Sequence, residues 1–206
     1  IYRIIRVRNF LRIIWFEVSN INKVVKPNLT PSKSSELVFI NLCKGLNLVG
    51  SSFFQTLSSI GNTVEDIKPA NEIKKIFSTI QELISNNNIQ SGHDISSGGL
   101  ITSILEMNFP NKNYGLKINL DGFKEDNLLK ILFNESPGLL IQIDKNGIKK
   151  LIDNKIDFIS LGHLIDERKL NITFKNKSFS LDINHFRESW YKNSFILDCE
   201  QTSNNK

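Results

Sequence analysis

One short stretch, residues 89–107, constrains the fold more than any other part of the sequence. It reads Ile-Gln-Ser-Gly-His-Asp-Ile-Ser-Ser-Gly-Gly-Leu-Ile-Thr-Ser-Ile-Leu-Glu-Met. The first six residues have the mixed apolar and polar character of a short strand, and four small residues follow at 96–99. Apolar residues then recur with helical spacing from Leu100. The stretch therefore predicts a strand that turns through a small-residue corner into a helix, a unit typical of layered α/β domains.

The residue types at this corner also indicate a chemistry. Gly98 and Gly99 lack a Cβ, so they can adopt unusual backbone angles and let a ligand approach the main chain. A helix that begins there points unpaired N–H groups and the positive end of its dipole at the corner. Asp94 supplies a hard oxygen of the kind that Mg²⁺ uses beside phosphates. These features predict an anion-binding corner, while a serine-capped turn that binds no ligand stays open as the alternative.

A second corner has the same composition. Residues 36–42 have the character of a buried strand, and the small residues Gly50, Ser51 and Ser52 precede a short helical pattern over 53–60. The chain thus repeats the order of strand, small residues and helix start. Two such corners in one domain could grip two parts of one phosphate ligand.

The remaining pattern predicts one layered domain of the α/β (α+β) class, in which helices cover a mixed sheet. After residue 35 the elements follow the order β-α-α-β-α-β-α-β-α-β-β-β-α. The clearest helix covers residues 71–87, where apolar residues recur every three or four positions. The other predicted elements are helices at 125–133, 147–152 and 183–191, and strands at 114–120, 139–143, 158–164, 170–174 and 178–181.

The two ends of the chain are expected to differ from the domain between them. Residues 1–35 hold a basic, isoleucine-rich opening and a Pro/Ser-rich turn region, and they are interpreted as the incomplete edge of a preceding domain plus a linker. The same opening would also suit a targeting peptide or a membrane-surface helix. Residue 1 is not Met, which fits a chain that starts inside a larger protein. Residues 36–198 are predicted to form the domain, and residues 199–206 a disordered polar tail.

Composition argues against several other classes of protein. The net charge is +5, but it is spread along the chain without interleaved aromatic residues, so nucleic-acid binding is not expected. No segment offers about 18 uninterrupted apolar residues, so none is expected to span a membrane. Cys43 and Cys199 lack metal-ligand spacing, and Cys43 is expected to be packed inside an apolar run. Unpaired thiols fit a reduced, cytoplasmic protein.

Five motifs together resemble those of the large, single-chain phosphoribosylformylglycinamidine synthases, the glutamine-dependent ligases of purine biosynthesis. Residues 93–100, His-Asp-Ile-Ser-Ser-Gly-Gly-Leu, resemble the HD-x-S-D-G-G-L signature of that family. Residues 41–52 are similar to its DL-x-K-G-x-x-x-LGGS run, and residues 132–138 to its LFNEELG segment. Residues 106–109 follow the signature helix as in the family, and residues 186–194 resemble its LRxxWxxTS end. The motifs occur in the family's order over nearly the whole chain.

The resemblance implies a fold, a ligand and a set of partners. The chain would be the second of two domains of the type that ends aminoimidazole ribonucleotide synthetase, and it would hold ATP or ADP with Mg²⁺ in an auxiliary site. Carried over by position, Asp94 would bind Mg²⁺ and Ser96 would contact the nucleotide, beside Gly98 and Gly99. No residue of this chain would be catalytic. The upstream synthetase half and the downstream glutaminase of the same synthase would be its partners.

Two positions depart from the family's motifs. Ser97 stands where the family has Asp, so one carboxylate beside Asp94 is lost, and Ser51 stands where the family has the second Gly of LGGS. A side chain at Ser51 restricts the backbone where it would approach a phosphate. We therefore expect the isolated chain to bind ADP with Mg²⁺ weakly or not at all. The alternatives are a non-catalytic remnant or scaffold module of the same fold, and a relative of aminoimidazole ribonucleotide synthetase or of hydrogenase-maturation proteins.

Single side chains near these motifs receive simpler assignments. Glu135 either points at the ligand or caps the turn that follows it, and the cap is preferred. His93 is expected to fix the corner by hydrogen bonding and not to take part in catalysis. Trp190, four residues after Phe186, is expected to be buried in the core.

Overall fold

The computed structural model describes residues 2–7, 10–15, 20, 23–32, 34–62 and 65–203. Helices and strands follow one another in nearly the predicted order. The strands are β1 (Tyr2–Val7), β2 (Phe10–Trp15), β3 (Glu36–Asn41), β4 (Ile89–Asp94), β5 (Gly115–Asn119), β6 (Gly138–Ile143), β7 (Ile159–Ile165), β8 (Lys169–Phe174) and β9 (Lys177–Asp182). The helices are α1 (Ser52–Thr56), α2 (Ala70–Ser85), α3 (Gly99–Asn108), α4 (Leu128–Phe133), α5 (Lys145–Asp153) and α6 (Ile183–Ser203).

Seven strands form one mixed sheet, in the order β4-β6-β3-β7-β5-β8-β9. Neighbouring strands run antiparallel except for β5 and β8, which are parallel. β1 and β2 pair with each other as a separate antiparallel hairpin. The predicted fold class, a mixed sheet covered by helices, is confirmed.

Helices cover both faces of the sheet, and the interior strand β3 shows why. Leu37 and Phe39 pack into the core that contains α3 and α4, while Val38 and Ile40 pack into the core that contains α2 and α5. Because successive side chains of a strand point to opposite faces, a strand buried on both sides needs a continuous apolar run. The sequence Leu-Val-Phe-Ile meets that requirement.

The segment before β3 packs along the outer strand of the sheet. The carbonyl of Lys26 accepts a hydrogen bond of 3.0 Å from the Gly92 N–H of β4, and the Leu29 N–H donates to the Met107 carbonyl at 3.0 Å. Leu29 is buried in the core. These contacts cover part of an edge that would otherwise present unpaired backbone groups.

Two helices have bounds that differ from the predicted ones. α4 begins at Leu128, after the Asn127 side chain, which accepts hydrogen bonds from the Leu129 and Lys130 N–H groups. This cap fixes the start three residues later than the apolar pattern indicates. α6 continues through Ser203, well beyond residue 191 and into the expected tail. No Gly or Pro occurs over residues 183–203, so no residue there is a strong helix breaker.

Two broader expectations concern the cysteines and the membrane. Cys43 is 2% exposed, as expected, and burial raises the pKa of its thiol. Cys199 lies on the surface of α6. Within the described ranges, no helix combines the length and the apolar character needed to cross a membrane.

Candidate functional site

The sheet brings the two small-residue corners together, at the side of the sheet where β3 and β4 end and β6 begins. β6 pairs with β3 on one side and with β4 on the other, so that Asn41 lies opposite Gly138 and Asp94 lies opposite Leu139. The carboxyl ends of β3 and β4 therefore lie at the same edge as the start of β6. The chain leaves both strands toward short helices, and a 2.7 Å hydrogen bond joins the Ser52 and Ser97 hydroxyls. The two corners predicted to share a ligand lie in contact.

Both glycines of the first corner adopt backbone angles that other residues rarely adopt. Gly98 has φ +92° and Gly99 has φ +75°, and α3 begins at Gly99, as predicted. A Cβ at Gly99 would lie 2.6 Å from the Phe133 carbonyl carbon, and one at Gly98 would collide with the Thr102 side chain. The space beside these glycines is thus filled by the protein itself, which lets α3 start against the loop after α4.

The second corner is shaped by a serine. Ser51 has φ −68° and ψ 156°, ordinary extended values, and its buried hydroxyl accepts from the Phe54 N–H and donates to the Leu48 carbonyl. The positive φ of this corner falls on Gly50, at +70°. Serine at position 51 therefore fits the backbone without strain and caps α1.

Glu135 connects the two corners. Its Oε1 atom accepts a 2.6 Å hydrogen bond from the Gly98 N–H and a 2.8 Å hydrogen bond from the Ser52 N–H. A carboxylate of the protein thus sits where the amino ends of α3 and α1 meet, a position that favours negative charge. The preferred prediction was that Glu135 caps the turn that follows it. That prediction was wrong, because the carboxylate binds the N–H groups of Gly98 and Ser52 instead. The Asn-Glu-Ser sequence around Glu135 indicated a polar role. It could not indicate the partners, because they are distant in the sequence.

Ser96 and Ser97 have different environments. Ser96 is half-buried, its carbonyl accepts from the Gly99 N–H at 3.0 Å, and its N–H donates to the Ser103 hydroxyl at 3.4 Å. Ser97 is exposed, and the hydrogen bond to Ser52 involves its hydroxyl. An aspartate at position 97 would add a carboxylate near Glu135, which contacts the neighbouring Gly98 and Ser52 N–H groups.

Asp94 lies at the exposed rim of the site. Its side chain is 78% exposed, and the ring of the neighbouring His93 lies 3.5 Å from the carboxylate. Among the described residues, no group of three or more side chains is arranged to hold a metal ion. Mg²⁺ commonly uses one or two carboxylates and fills its other positions with phosphate oxygens and water. Asp94 therefore fits a Mg²⁺ ion that arrives with a phosphate, not a closed protein cage.

His93 has polar groups near both nitrogens of its ring. Its Nδ1 lies 2.5 Å from the Asp94 carbonyl, and its Nε2 lies 3.6 Å from the Glu106 carboxylate. Glu106 in turn accepts a 3.0 Å hydrogen bond from the indole N–H of Trp190 on α6. The prediction that Trp190 is buried was wrong, because this side chain is 55% exposed, with its ring tilted at 49° to that of Phe109.

Two cavities open near the same edge of the sheet. One, of about 270 Å³, lies beside Asp94 and has apolar walls from α2, β4 and β6. The other, of about 600 Å³, lies past the end of β3 on the side away from β4. Its lining combines three lysines, two carboxylates and three phenylalanines: Lys44, Lys68, Lys124, Glu125, Asp157, Phe39, Phe123 and Phe158.

Comparison with known families identifies the domain. Residues 40–175 match the family described as AIR synthase related protein, C-terminal domain. The chain belongs to this family. The match runs from the end of β3 through β8 and includes both corners and Glu135.

Similar proteins in other organisms agree with the resemblance seen in the motifs. The chain is 30% identical to a probable phosphoribosylformylglycinamidine synthase of Arabidopsis thaliana over 187 residues, which are 87% of this chain and 13% of that protein. It is 29% identical to the Homo sapiens phosphoribosylformylglycinamidine synthase over 189 residues, 87% of this chain and 14% of that protein. The resemblance is confirmed, and the chain spans about one seventh of these relatives.

Solved structures support the fold. Thermotoga maritima PurL complexed with FGAR superposes with a TM-score of 0.62 at 12% identity, covering 81% of this chain and 30% of that one. T. maritima PurL complexed with ATP gives 0.58 at 13% identity, covering 80% and 27%. Escherichia coli HypE, a hydrogenase maturation protein, gives 0.52 at 12% identity, covering 75% and 51%.

Proposed function

We propose that this chain is part of a phosphoribosylformylglycinamidine synthase, the ATP-dependent, glutamine-using ligase that converts formylglycinamide ribonucleotide to formylglycinamidine ribonucleotide. The curated relatives carry that name, and similar structures include PurL with ATP, with ADP and with FGAR. The upstream synthetase half and the glutaminase of such an enzyme would supply the chemistry. This chain would supply half of an auxiliary nucleotide site.

The observation that carries this proposal is the meeting of the two corners at one edge of the sheet. Ser52 and Ser97 are in contact there, and helix α3 begins at the same point. A nucleotide phosphate placed against Ser96, Gly98 and Gly99 would face the amino end of α3. Asp94, exposed at the rim, would share a Mg²⁺ ion with that phosphate, and the metal would neutralise part of its charge.

The proposal is tested by calorimetric titration of the 206-residue chain with ADP in the presence of Mg²⁺. We expect weak binding, with a Kd above about 1 µM, because Ser97 leaves one carboxylate fewer beside Asp94. Asp94→Asn should reduce the affinity further, since it removes the proposed metal ligand while conserving shape.

The matched control is Asp153→Asn, which removes one exposed carboxylate from the last turn of α5, far along the chain from the corner. Its affinity for ADP and Mg²⁺ should equal that of the unaltered chain. Equal affinities for the two variants would contradict the proposed site, and sub-micromolar binding would contradict the expected weakness.

A scaffold module without nucleotide is the second candidate, and one observation favours it. Glu135 already supplies an anion to the Gly98 and Ser52 N–H groups. If no ADP binding is measurable with Mg²⁺ at millimolar nucleotide, the scaffold role replaces the nucleotide site.

A further inference from the structure

Glu135 is the group at the site whose role the proposed function does not explain. A single oxygen, Oε1, accepts hydrogen bonds from two N–H groups that lie 46 residues apart in the chain, those of Gly98 and Ser52. Both residues belong to the corners that would face a phosphate. A carboxylate in this position has the same sign of charge and the same acceptor character as a phosphate oxygen.

Three neighbouring main-chain donors are also engaged within the protein. The Gly99 N–H donates to the Ser96 carbonyl, the Ser96 N–H to the Ser103 hydroxyl, and the Phe54 N–H to the Ser51 hydroxyl. A phosphate approaching Gly98 or Ser52 would therefore have to displace Glu135 or lie beside it. In the second case two anions would be neighbours, and they repel each other unless a cation lies between them.

We propose that Glu135 determines which anions this corner accepts. Its carboxylate excludes a free phosphate group and admits one only when a divalent cation accompanies it. The cation lowers the repulsion between the carboxylate and the phosphate, and exposed Asp94 at the rim offers it a further oxygen ligand. This inference rests on the proposed nucleotide site, and it assigns to Glu135 a specificity role at that site.

A purely structural role for Glu135 makes a different prediction. If the carboxylate only holds the two corners together, its replacement changes the stability of the chain and leaves the metal dependence of ADP binding unchanged. The two roles are separated by Glu135→Gln, because the amide oxygen can still accept both N–H bonds but carries no charge. Glu135→Asp provides the complementary variant, since it keeps the charge on a shorter side chain.

The experiment is a calorimetric titration of the 206-residue chain with ADP, once with excess EDTA and once with Mg²⁺. For the unaltered chain we expect binding with Mg²⁺ and no measurable binding in EDTA. Glu135→Gln should raise the affinity for metal-free ADP by about tenfold or more, and Glu135→Asp should still require the metal. Glu125→Gln is the matched control, because Glu125 also accepts a backbone N–H bond, from Asn127, but outside the corner.

The outcomes separate this inference from the proposed function. Equal metal-free affinity in the unaltered chain and in Glu135→Gln overturns the specificity role, while the nucleotide site stands if Asp94→Asn still weakens binding with Mg²⁺. Absence of ADP binding in all variants and both conditions overturns both proposals. Thermal unfolding of each variant shows whether it is folded.

A second measurement needs no variant. In the amide spectrum of the isotopically labelled chain, the signals of Gly98 and Ser52 should shift when ADP is added with Mg²⁺ and stay in place when ADP is added in EDTA. Shifts of both signals by metal-free ADP would contradict the role of Glu135.

Discussion

At the scale of single residues, Gln142 shows how one buried amide can join three segments of the chain. It is 2% exposed on β6. Its oxygen accepts from the Thr30 N–H at 2.8 Å and the Ser91 hydroxyl at 3.1 Å, and its nitrogen donates to the Thr30 carbonyl and the Ser35 hydroxyl, each at 2.7 Å. All of its partners lie in other parts of the sequence, so the amide fastens the segment before β3 to the sheet.

Gln142→Leu should destabilise the chain by about 2–4 kcal/mol, because it leaves several buried polar groups without partners. Urea unfolding followed by circular dichroism measures the change. Gln81→Leu, on the exposed side of α2, is the control and should change stability by less than about 0.5 kcal/mol. A loss below about 1 kcal/mol for Gln142→Leu would show that water replaces the lost bonds.

Arg168 has an equally concentrated set of contacts. Its guanidinium donates to the carbonyls of Asn108, Phe109 and Tyr114 and to the side chains of Asn108 and Asn184. Burial lowers the pKa of this group, and the charge of Arg187 lowers it further. Arginine nevertheless stays protonated, and its positive charge lies at the carboxyl end of α3, where the helix dipole favours a cation.

Arg168→Lys should lower the free energy of unfolding by about 1.5–3 kcal/mol, because a lysine ammonium cannot reach the same set of acceptors at once. Arg187→Lys, a conservative change on the exposed surface of α6, should alter it by less than about 0.5 kcal/mol. The two variants are compared by urea unfolding at the same pH. Equal losses would mean that the planar guanidinium of Arg168 adds no more stability than that of an exposed arginine.

Residue roles of this kind were only partly predictable. The small side chains of Gly98 and Gly99 correctly indicated the corner, because positive φ is a local property of the backbone. Glu135, Gln142 and Arg168 depend on partners that lie far away in the sequence, and local pattern carries no information about them.

At the scale of secondary-structure elements, the junction between α3 and α4 depends on Gly99. A Cβ there would lie 2.6 Å from the Phe133 carbonyl carbon and 2.8 Å from the Asn134 carbonyl oxygen, both backbone atoms. Gly50 has nearly the same backbone angle, φ +70°, but a Cβ there would meet nothing within 4 Å. The two glycines therefore separate the cost of the backbone angle from the cost of the collision.

Gly50→Ala should lower stability by about 1–2 kcal/mol, the cost of positive φ for a residue with a Cβ. Gly99→Ala should cost about 1–3 kcal/mol more, because α3 must also move away from the loop after α4. Both values come from urea unfolding. If the two losses agree, the collision is relieved by a small shift and the junction is more plastic than the structure indicates.

Element ends were the least predictable part of this fold. The apolar spacing indicated that α4 begins at 125, but the Asn127 cap decides the start. The last helix was predicted to end near residue 191, with a polar tail from residue 199, yet no helix breaker occurs there and the helix continues to Ser203. Periodicity finds the middle of an element, while caps and breakers set its limits.

At the scale of the whole molecule, the element order and the mixed sheet were predictable, and the strand order was not. Alternating strands and helices already indicated a layered domain. The order β4-β6-β3 depends on pairing between strands that are distant in sequence, and nothing local specifies it. The contact between the two corners follows from that strand order. The sequence suggested it only because both corners have the residue types that bind phosphate.

The position of β6 between β3 and β4 also sets when the two corners can meet during synthesis. β6 ends at Ile143 and joins β3 to β4, so the ribosome has released both corners long before the strand that unites them. A nascent chain that ends before β6 contains the residues of both corners, but the corners are not yet held together. The two corners therefore come together only after the slow, long-range pairing of β6 is complete.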